Sequence, residues 1–121
     1  MQIGIDLGAS KIEYVLLDDS GNEHHRERIE VPKDYKNTIA VIKKIVIELE
    51  KKAGKELPVG VCHPGIHSIQ TGLIKNAPNS FWINGKPLQR DLRAEIGKEI
   101  YCENDANCFA LSEAIDGSGK H

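Results

Sequence analysis

The sequence predicts an α/β fold in which a mixed sheet of about five strands is flanked by helices. Three strand-like runs open the chain, and helical segments then alternate with two further strand-like runs, as expected for strands joined through helices. The 121 residues are 40% hydrophobic and 28% charged with a net charge of -2. This balance is typical of one ordinary domain with room for a core.

The first strand leads into a turn with the residue types of an anion-binding loop. Ile3, Ile5 and Leu7 alternate with smaller or polar residues, and Gly8 is predicted to sit where a Cβ would be obstructed. The run from Ile12 to Leu17 is again strand-like, so the turn is predicted to be a hairpin rather than a Walker A or dinucleotide-binding loop. An ordinary hairpin and a phosphate-holding turn are both compatible with these residues alone.

A third strand is predicted from Glu23 to Val31, after the turn signal from Asp18 to Asn22. His24 and His25 are adjacent in this strand, so their side chains are expected to point to opposite faces. We therefore expect a solvated strand face here rather than a shared metal ion.

The first helix is predicted from apolar residues at helical spacing, with Asp34 or Asn37 as its cap and Gly54 at its end. The apolar positions are Ile39, Ile42, Ile45, Val46 and Leu49. The next strand, from Leu57 to Cys62, is apolar without alternation, which favours an interior strand covered on both faces. It breaks at His63-Pro64-Gly65, where glycine allows close approach to whatever lies at the strand's carboxyl end.

The segment from Ser68 to Pro87, which we call the excursion, is rich in Gly, Asn, Pro and Ser. Its length within one domain favours a binding element over a linker, and it contains a short strand at Leu73-Ile74 and an apolar patch at Phe81-Trp82-Ile83. A short helix from Pro87 to Ile96 and a strand from Glu99 to Glu103 follow.

The last predicted helix begins within Asn104-Asp105-Ala106-Asn107. Asp105 therefore lies at a helix amino terminus, where a carboxylate can cap free amides or act as a general base that the helix dipole stabilises. Both roles are compatible if Asn104 is the cap and Asp105 faces the site.

Composition argues against several classes of function. A near-neutral charge without a basic run gives no support for nucleic acid as a partner, and no apolar run is long enough to cross a membrane. The three cysteines, Cys62, Cys102 and Cys108, are odd in number and lack C-x-x-C spacing. We therefore expect neither a disulfide framework nor a zinc site, which favours a cytoplasmic location.

The motifs at the predicted strand ends resemble those of the ROK (repressor, ORF, kinase) sugar kinases, whose lobes have the ribonuclease H-like fold of the actin-like ATPases. Gly4 to Lys11 is similar to the D-[LI]-G-G-T-K phosphate loop, and Asn104 to Cys108 is similar to the N-D-A-N motif that holds the family's catalytic aspartate. Further matches are Pro64-Gly65, Lys75-Asn76-Ala77, Trp82 and Asn84-Gly85. The resemblance covers essentially the whole chain and is greatest to bacterial fructokinases and mannokinases.

This resemblance implies an ATP-dependent transfer of phosphate to the C6 hydroxyl of a hexose. Asp105 would be the catalytic base, and the implied substrate-binding residues are Gly65, Asn79, Asn104 and Asp105. The implied phosphate-binding residues are Asp6, Gly8, Ser10 and Lys11, with Asp6 also helping to place Mg²⁺ or its water. Zinc is expected only in the family's second lobe, which is not represented in this chain.

Two departures from the family pattern stand out. Ala9-Ser10 replaces Gly-Thr in the phosphate loop, which keeps a hydroxyl and adds a methyl group. His63 stands where the family usually has an apolar residue, and a packed or solvated loop histidine is the favoured interpretation over a catalytic one.

The resemblance also implies a domain organisation. Residues 1–116 would form the amino-terminal lobe and residues 117–121 a flexible tail at the interlobe hinge, inactive alone. The expected partners are a hexose and ATP, in a cytoplasmic monomer or homodimer. The alternatives are an N-acetylglucosamine kinase and a non-catalytic sugar-sensing regulator, which is disfavoured because regulators carry a helix-turn-helix ahead of the phosphate loop.

Overall fold

The structure of the chain is a computed structural model, and it describes residues 1–77 and 80–104. The predicted last helix and the tail at 117–121 therefore lie outside the described residues. So do two of the predicted site residues, Asn79 and Asp105.

The described residues form a five-stranded sheet and a separate two-stranded sheet. The strands are β1 (Gln2–Leu7), β2 (Lys11–Leu17), β3 (Glu23–Glu30), β4 (Val59–His63), β5 (Ile66–His67), β6 (Ile74–Lys75) and β7 (Ile100–Asn104). The larger sheet has the order β3-β2-β1-β4-β7, and β5 pairs with β6. β1 is antiparallel to β2 and β2 to β3, whereas β1, β4 and β7 are parallel. The predicted mixed sheet of about five strands is confirmed.

Two helices, α1 (Tyr35–Ala53) and α2 (Leu88–Ile96), pack against each other and against the sheet. Alternate residues of β1 and β2 are buried in the resulting core, as the sequence alternation predicted. The largest fully buried side chains are Ile3, Ile5, Leu7, Ile12, Ile42, Leu49, Ile74, Ile83, Leu88, Leu92, Ile100 and His63. Burial of such residues removes apolar surface from water and is the main force that holds the helices on the sheet.

The ends of α1 follow from two residues. The Asp34 carboxylate accepts a hydrogen bond from the Asn37 amide at 2.9 Å, so Asp34 is the cap and Asn37 is its donor. Gly54 ends the helix with a φ of 77°, a left-handed conformation that costs glycine little. The predicted helix is therefore confirmed at both ends.

β4 lies inside the sheet, as predicted, but its two faces are not equally buried. Val59, Val61 and His63 are buried, whereas Gly60 and Cys62 on the opposite face are partly exposed. The sequence does not show this difference, because glycine and cysteine are found on buried faces as readily as valine is.

The excursion and the two residues just before it contain more structure than the sequence predicted. β5 was not foreseen, because two residues carry no periodic pattern, and a 3-10 helix spans Phe81–Ile83. Within the apolar patch, Trp82 and Ile83 are buried, but Phe81 is 71% exposed. The aromatic pair therefore anchors the segment through one ring only.

β3 is an edge strand with a highly charged surface. His24 Nε2 lies 2.8 Å from the Asp18 carboxylate, and His25 Nε2 lies 2.8 Å from that of Glu27. The hydrogen bond with His24 lowers the pKa of Asp18 to about 2. Within the described residues, no three His, Cys, Asp or Glu side chains are grouped so that they could hold a metal ion.

The cysteines depart from expectation. Cys62 is disulfide-bonded, which the odd cysteine number and spacing did not predict, because pairing depends on proximity in the fold and not in the sequence. Cys102 is a free thiol, and burial raises its pKa to about 12. In the part of the chain that the structure describes, no helix is both long and apolar enough to span a membrane.

Candidate functional site

Three parallel strands end side by side at one edge of the sheet, which we call the carboxyl edge. Asp6 on β1 is in register with Cys62 on β4, and Cys62 is in register with Glu103 on β7. One residue further on, His63 is paired with Asn104. The turn after β1, the Pro64-Gly65 turn after β4 and the end of β7 are therefore neighbours, as predicted.

The turn from β1 to β2 is a tight hairpin that requires glycine. The Gly8 amide donates a hydrogen bond to the Lys11 carbonyl oxygen at 2.9 Å. A Cβ on Gly8 would lie 2.9 Å from the same oxygen, which is closer than real Cβ atoms approach. The prediction that a Cβ on Gly8 would be obstructed is confirmed. The obstructing atom belongs to the hairpin itself, so glycine is needed here whether or not a ligand binds.

The other groups of this turn are the ones that could receive an anion. Within the described residues, the amides of Ala9 and Ser10 donate no hydrogen bond, while the Ser10 carbonyl accepts one from Val31 at 3.0 Å. Lys11 is half-exposed, and its ammonium lies 4.0 Å from the Glu30 carboxylate on β3. Two unpaired amides beside a cation fit the oxygens of a phosphate group.

Asp6 presents a carboxylate beside this turn. It is exposed and lies opposite Glu13 on β2, on the sheet face that the core residues Ile5 and Leu7 do not occupy. Mg²⁺ in phosphate sites is commonly held by one or two carboxylates together with phosphate oxygens and water. The exposed Asp6 carboxylate, beside a turn with two unpaired amides and a cation, fits that arrangement.

The turn after β4 is packed tightly against β6. Gly65 has a φ of +80°, and a Cβ there would lie 2.6 Å from the Lys75 carbonyl oxygen and 3.0 Å from the Ala77 Cβ. Only glycine both adopts this left-handed conformation readily and leaves room for the Lys75 carbonyl. The backbone of this turn is thereby fixed at the carboxyl edge.

His63 is part of the core and not of a solvated loop. Its side chain is fully buried, and Nδ1 lies 2.9 Å from the Pro64 carbonyl oxygen. Because a carbonyl only accepts, Nδ1 carries the proton and donates it. The histidine thus packs beneath the turn, in agreement with the packed interpretation.

The Asn84 side chain joins two parts of the excursion by hydrogen bonds to Ala77. Its Oδ1 accepts from the Ala77 amide at 3.0 Å and its Nδ2 donates to the Ala77 carbonyl at 3.1 Å. Two nearby side-chain atoms, Ser80 Oγ and Trp82 Nε1, are buried without a hydrogen-bond partner in the described part of the chain. The sequence assigns no role to Asn84, although it lies in one of the matching motifs. An Asn-Gly pair indicates a turn, but it does not show that the asparagine side chain bonds to Ala77.

Tyr35, the first residue of α1, connects the two helices. Its hydroxyl donates to the Asp91 carboxylate on α2 at 2.6 Å. Burial and then this hydrogen bond raise the pKa of Tyr35, so the phenol remains a donor at neutral pH. The Lys86 ammonium, at the end of the excursion, lies 5.4 Å from the centre of the Tyr35 ring.

The structure therefore brings most of the predicted site residues together. Five of them lie at or beside the carboxyl edge, namely Asp6, Gly8, Ser10, Lys11 and Gly65. The backbone of Asn104 ends β7 at the same edge. The positions of Asn79 and Asp105 lie outside the described residues, and their roles stay predictions.

Known proteins resemble this chain in sequence and in structure. A model of the ROK family matches residues 2–121. The N-acetyl-D-glucosamine kinase of Haemophilus influenzae is 39% identical over 117 residues, which are 96% of this chain and 38% of that relative.

Two solved structures superpose closely. A ROK family glucokinase from Streptomyces griseus, in complex with glucose and AMPPNP, has a TM-score of 0.80 at 25% identity and is matched over 98% of this chain and 38% of its own. The inorganic polyphosphate/ATP-glucomannokinase of Arthrobacter sp. has a TM-score of 0.77 at 30% identity, over 98% of this chain and 49% of its own. The chain thus spans less than half the length of each of these relatives.

The structural likeness confirms the predicted ribonuclease H-like fold, with the strand order and the turns at the carboxyl edge in place. The family model extends over nearly every residue and includes each predicted motif. The chain belongs to the ROK family.

Proposed function

We propose that this chain is the amino-terminal lobe of an ATP-dependent kinase that phosphorylates a hexose at its C6 hydroxyl. In this proposal residues 1–116 form the lobe and residues 117–121 lead into the interlobe hinge. The coverage of 38% of the Haemophilus influenzae relative supports a second lobe that completes the site.

The observation that carries the proposal is the meeting of three strand ends at one edge of the sheet. In α/β sheets, ligands bind outside the carboxyl ends of the strands, where loops from different strands converge. Here one such loop has amides and a cation suited to phosphate, and another has a glycine whose backbone can approach a sugar.

The hairpin turn would hold the phosphates of ATP. The amides of Ala9 and Ser10 and the ammonium of Lys11 would neutralise phosphate oxygens, and Asp6 would orient Mg²⁺ or its water. When bound, ATP and Mg²⁺ supply the transferable phosphoryl group and the charge neutralisation that its transfer needs. Since Gly8 forms the hairpin itself, its part is to shape the turn that the other residues use.

The end of β7 would hold the reacting hydroxyl of the sugar. Asp105 follows Asn104, the last residue of that strand, and in this position it would accept the proton of the attacking hydroxyl as a general base. Gly65, Asn79 and Asn104 would bind other hydroxyls and so fix the sugar's orientation. Positioning of this kind accounts for much of the rate of phosphoryl transfer.

Two identities of the hexose are proposed. The motif around Lys75 to Ala77 and Trp82 to Gly85 favours fructose or mannose, by its resemblance to fructokinases and mannokinases. The second candidate is N-acetylglucosamine, which is favoured by the name of the relative with 39% identity.

The proposal is tested by measuring ATP-dependent phosphorylation with the full-length kinase that contains this chain. Fructose, mannose, glucose and N-acetylglucosamine are compared by kcat/KM in a coupled assay at saturating Mg²⁺ and ATP. Fructose or mannose as the best substrate is the expected result, and N-acetylglucosamine as the best would establish the second candidate. No turnover of any hexose would refute the kinase proposal.

The lobe assignment has a separate test. The purified 121-residue chain is expected to show no appreciable turnover, because one lobe cannot align ATP with the sugar or exclude water from the site. Turnover comparable to that of the full-length kinase would refute the assignment.

A further inference from the structure

Two stretches of the excursion lie against each other beside the Gly65 turn. The Ile74 amide donates to the Lys86 carbonyl at 3.0 Å, and the Gly85 amide donates to the Ile74 carbonyl at 2.7 Å. These backbone bonds fix β6 against the end of the excursion. They do not reach Ala77, which lies just beyond β6.

Ala77 is held by a side chain. The Asn84 amide group makes two hydrogen bonds to it, one to its N–H at 3.0 Å and one to its carbonyl at 3.1 Å. A single planar amide that both donates and accepts fixes the orientation of a peptide backbone as well as its position. Ala77 is fully buried, so its backbone groups have no water to bond to if Asn84 is removed.

Among the described residues of the excursion, no other polar side chain bonds to Ala77. Ser80 is 1% exposed and Trp82 is 8% exposed, and within the described residues neither Ser80 Oγ nor Trp82 Nε1 makes a hydrogen bond. The Ser80 amide reaches the Ala77 carbonyl only at 3.3 Å. Asn84 is therefore the main polar anchor of Ala77.

Ala77 in turn limits the Gly65 turn. The space beside Gly65 is bounded by the Lys75 carbonyl and by Ala77, whose Cβ would lie 3.0 Å from a Cβ on Gly65. A shift of Ala77 would therefore remove part of the surface against which the Gly65 turn packs. Through Ala77, the side chain of Asn84 is coupled to the backbone that is proposed to contact the sugar.

We propose that Asn84 is a positioning residue for the hexose, which acts through Ala77 on the Gly65 turn. The inference rests on the proposed kinase function, and it concerns the sugar half of the site alone. The proposed ATP half is the hairpin between β1 and β2, on a different pair of strands, and within the described residues Asn84 makes no hydrogen bond to it.

The test compares Asn84→Ala with wild type in the full-length kinase. KM for the hexose is expected to rise by about tenfold or more, because two hydrogen bonds to a buried backbone are lost. KM for ATP is expected to stay within about twofold of wild type. Asn84→Asp, which keeps the acceptor for the Ala77 amide but places a carboxylate oxygen against the Ala77 carbonyl, is a second variant of the same shape and is expected to raise KM for the hexose too.

Ser80→Ala is the matched control. It changes a side chain of similar burial in the same segment but removes no hydrogen bond, so both KM values are expected to stay at wild-type levels. Hexose binding to each variant is also measured by calorimetry, which reports affinity without turnover.

The outcomes separate the two proposals. An active wild type in which both Asn84 variants keep a normal KM for the hexose overturns the positioning role and leaves the kinase proposal intact. Equal rises in KM for the hexose and for ATP also overturn it, because they would mark a general loss of structure. A wild type without kinase activity overturns the proposed function, and with it this inference.

Discussion

The carboxyl edge of the sheet and the opposite, amino edge differ in what their polar groups bond to. At the amino edge, the Lys98 ammonium contacts both the Glu50 carboxylate and the Leu57 carbonyl, and the Leu57 amide donates to Glu50 at 2.9 Å. At the carboxyl edge, the amides of Ala9 and Ser10 make no hydrogen bond within the described residues.

The two edges also differ in how deeply their charged groups are buried. Lys98 and Glu50 are only 16% and 19% exposed, so the end of α1 is bonded to the starts of β4 and β7 in a setting where charges strengthen hydrogen bonds. Lys11 at the carboxyl edge is 50% exposed, and its ion pair at 4.0 Å contributes little to folding. We infer that the cluster of Lys98 and Glu50 at the amino edge stabilises the fold, whereas the turn after β1 at the carboxyl edge leaves two amides for a ligand.

The largest expected effect separates turnover from stability at the carboxyl edge. In the proposed full-length kinase, Asp105→Asn is expected to lower kcat by about two to four orders of magnitude, the usual contribution of a positioned general base. Stability should change little, because Asn104 can cap the helix that the sequence predicts there and asparagine is itself a good cap. Steady-state kinetics and thermal melts check both parts, and a near-normal kcat would reduce Asp105 to a helix cap.

Two glycines with the same backbone conformation have different surroundings. Gly65 at the carboxyl edge and Gly54 at the end of α1 have φ values of +80° and +77°, but only Gly65 has neighbours within 4 Å of an added Cβ. Gly54→Ala is expected to lower the free energy of unfolding by about 1 kcal/mol, the cost of a left-handed alanine.

Gly65→Ala adds a clash with the Lys75 carbonyl to that cost, so a loss of more than about 2 kcal/mol is expected. Hexose affinity should also fall for Gly65→Ala and not for Gly54→Ala. Urea denaturation and hexose calorimetry of both variants provide the measurements, and equal losses of stability would contradict the packing described for the Gly65 turn.

A substitution at the amino edge is expected to lower the free energy of unfolding without changing substrate binding. Lys98→Met removes the cation from Glu50 and the donor from the Leu57 carbonyl, and a loss of about 2 kcal/mol is expected from hydrogen bonds to partly buried charged groups. The KM values for ATP and hexose should not change, because this cluster lies at the other end of the strands. Denaturant titration with parallel kinetics checks the prediction, which fails if either KM moves while stability does not.

The parts of the fold that the sequence predicted are those with strong local signals. Asp34 and Gly54 mark the ends of α1 through capping and left-handed geometry, both of which depend on neighbouring residues alone. The turns after β1 and β4 were located because glycine is needed where backbones approach closely. Their meeting at one edge was foreseen from the order of the elements and the family resemblance.

The parts that were missed depend on contacts across the fold. β5 has two residues and exists through its pairing with β6, so no pattern could reveal it. Asn84 acts on Ala77, seven residues away, through a geometry that its own neighbours do not specify. The partly exposed face of β4 and the disulfide at Cys62 likewise follow from what lies beside each residue in space.

The division between the two edges is tested most directly by Lys11→Met, measured against Lys98→Met in the same full-length kinase. Each variant replaces one ammonium by an apolar side chain of similar length, and KM for ATP and the free energy of unfolding are measured for both. For Lys11→Met, KM for ATP should rise by about tenfold with an unfolding free energy within about 0.5 kcal/mol of wild type. An unchanged KM for ATP in Lys11→Met, with a loss of stability like that of Lys98→Met, would show that the turn after β1 is a structural hairpin and not a phosphate site.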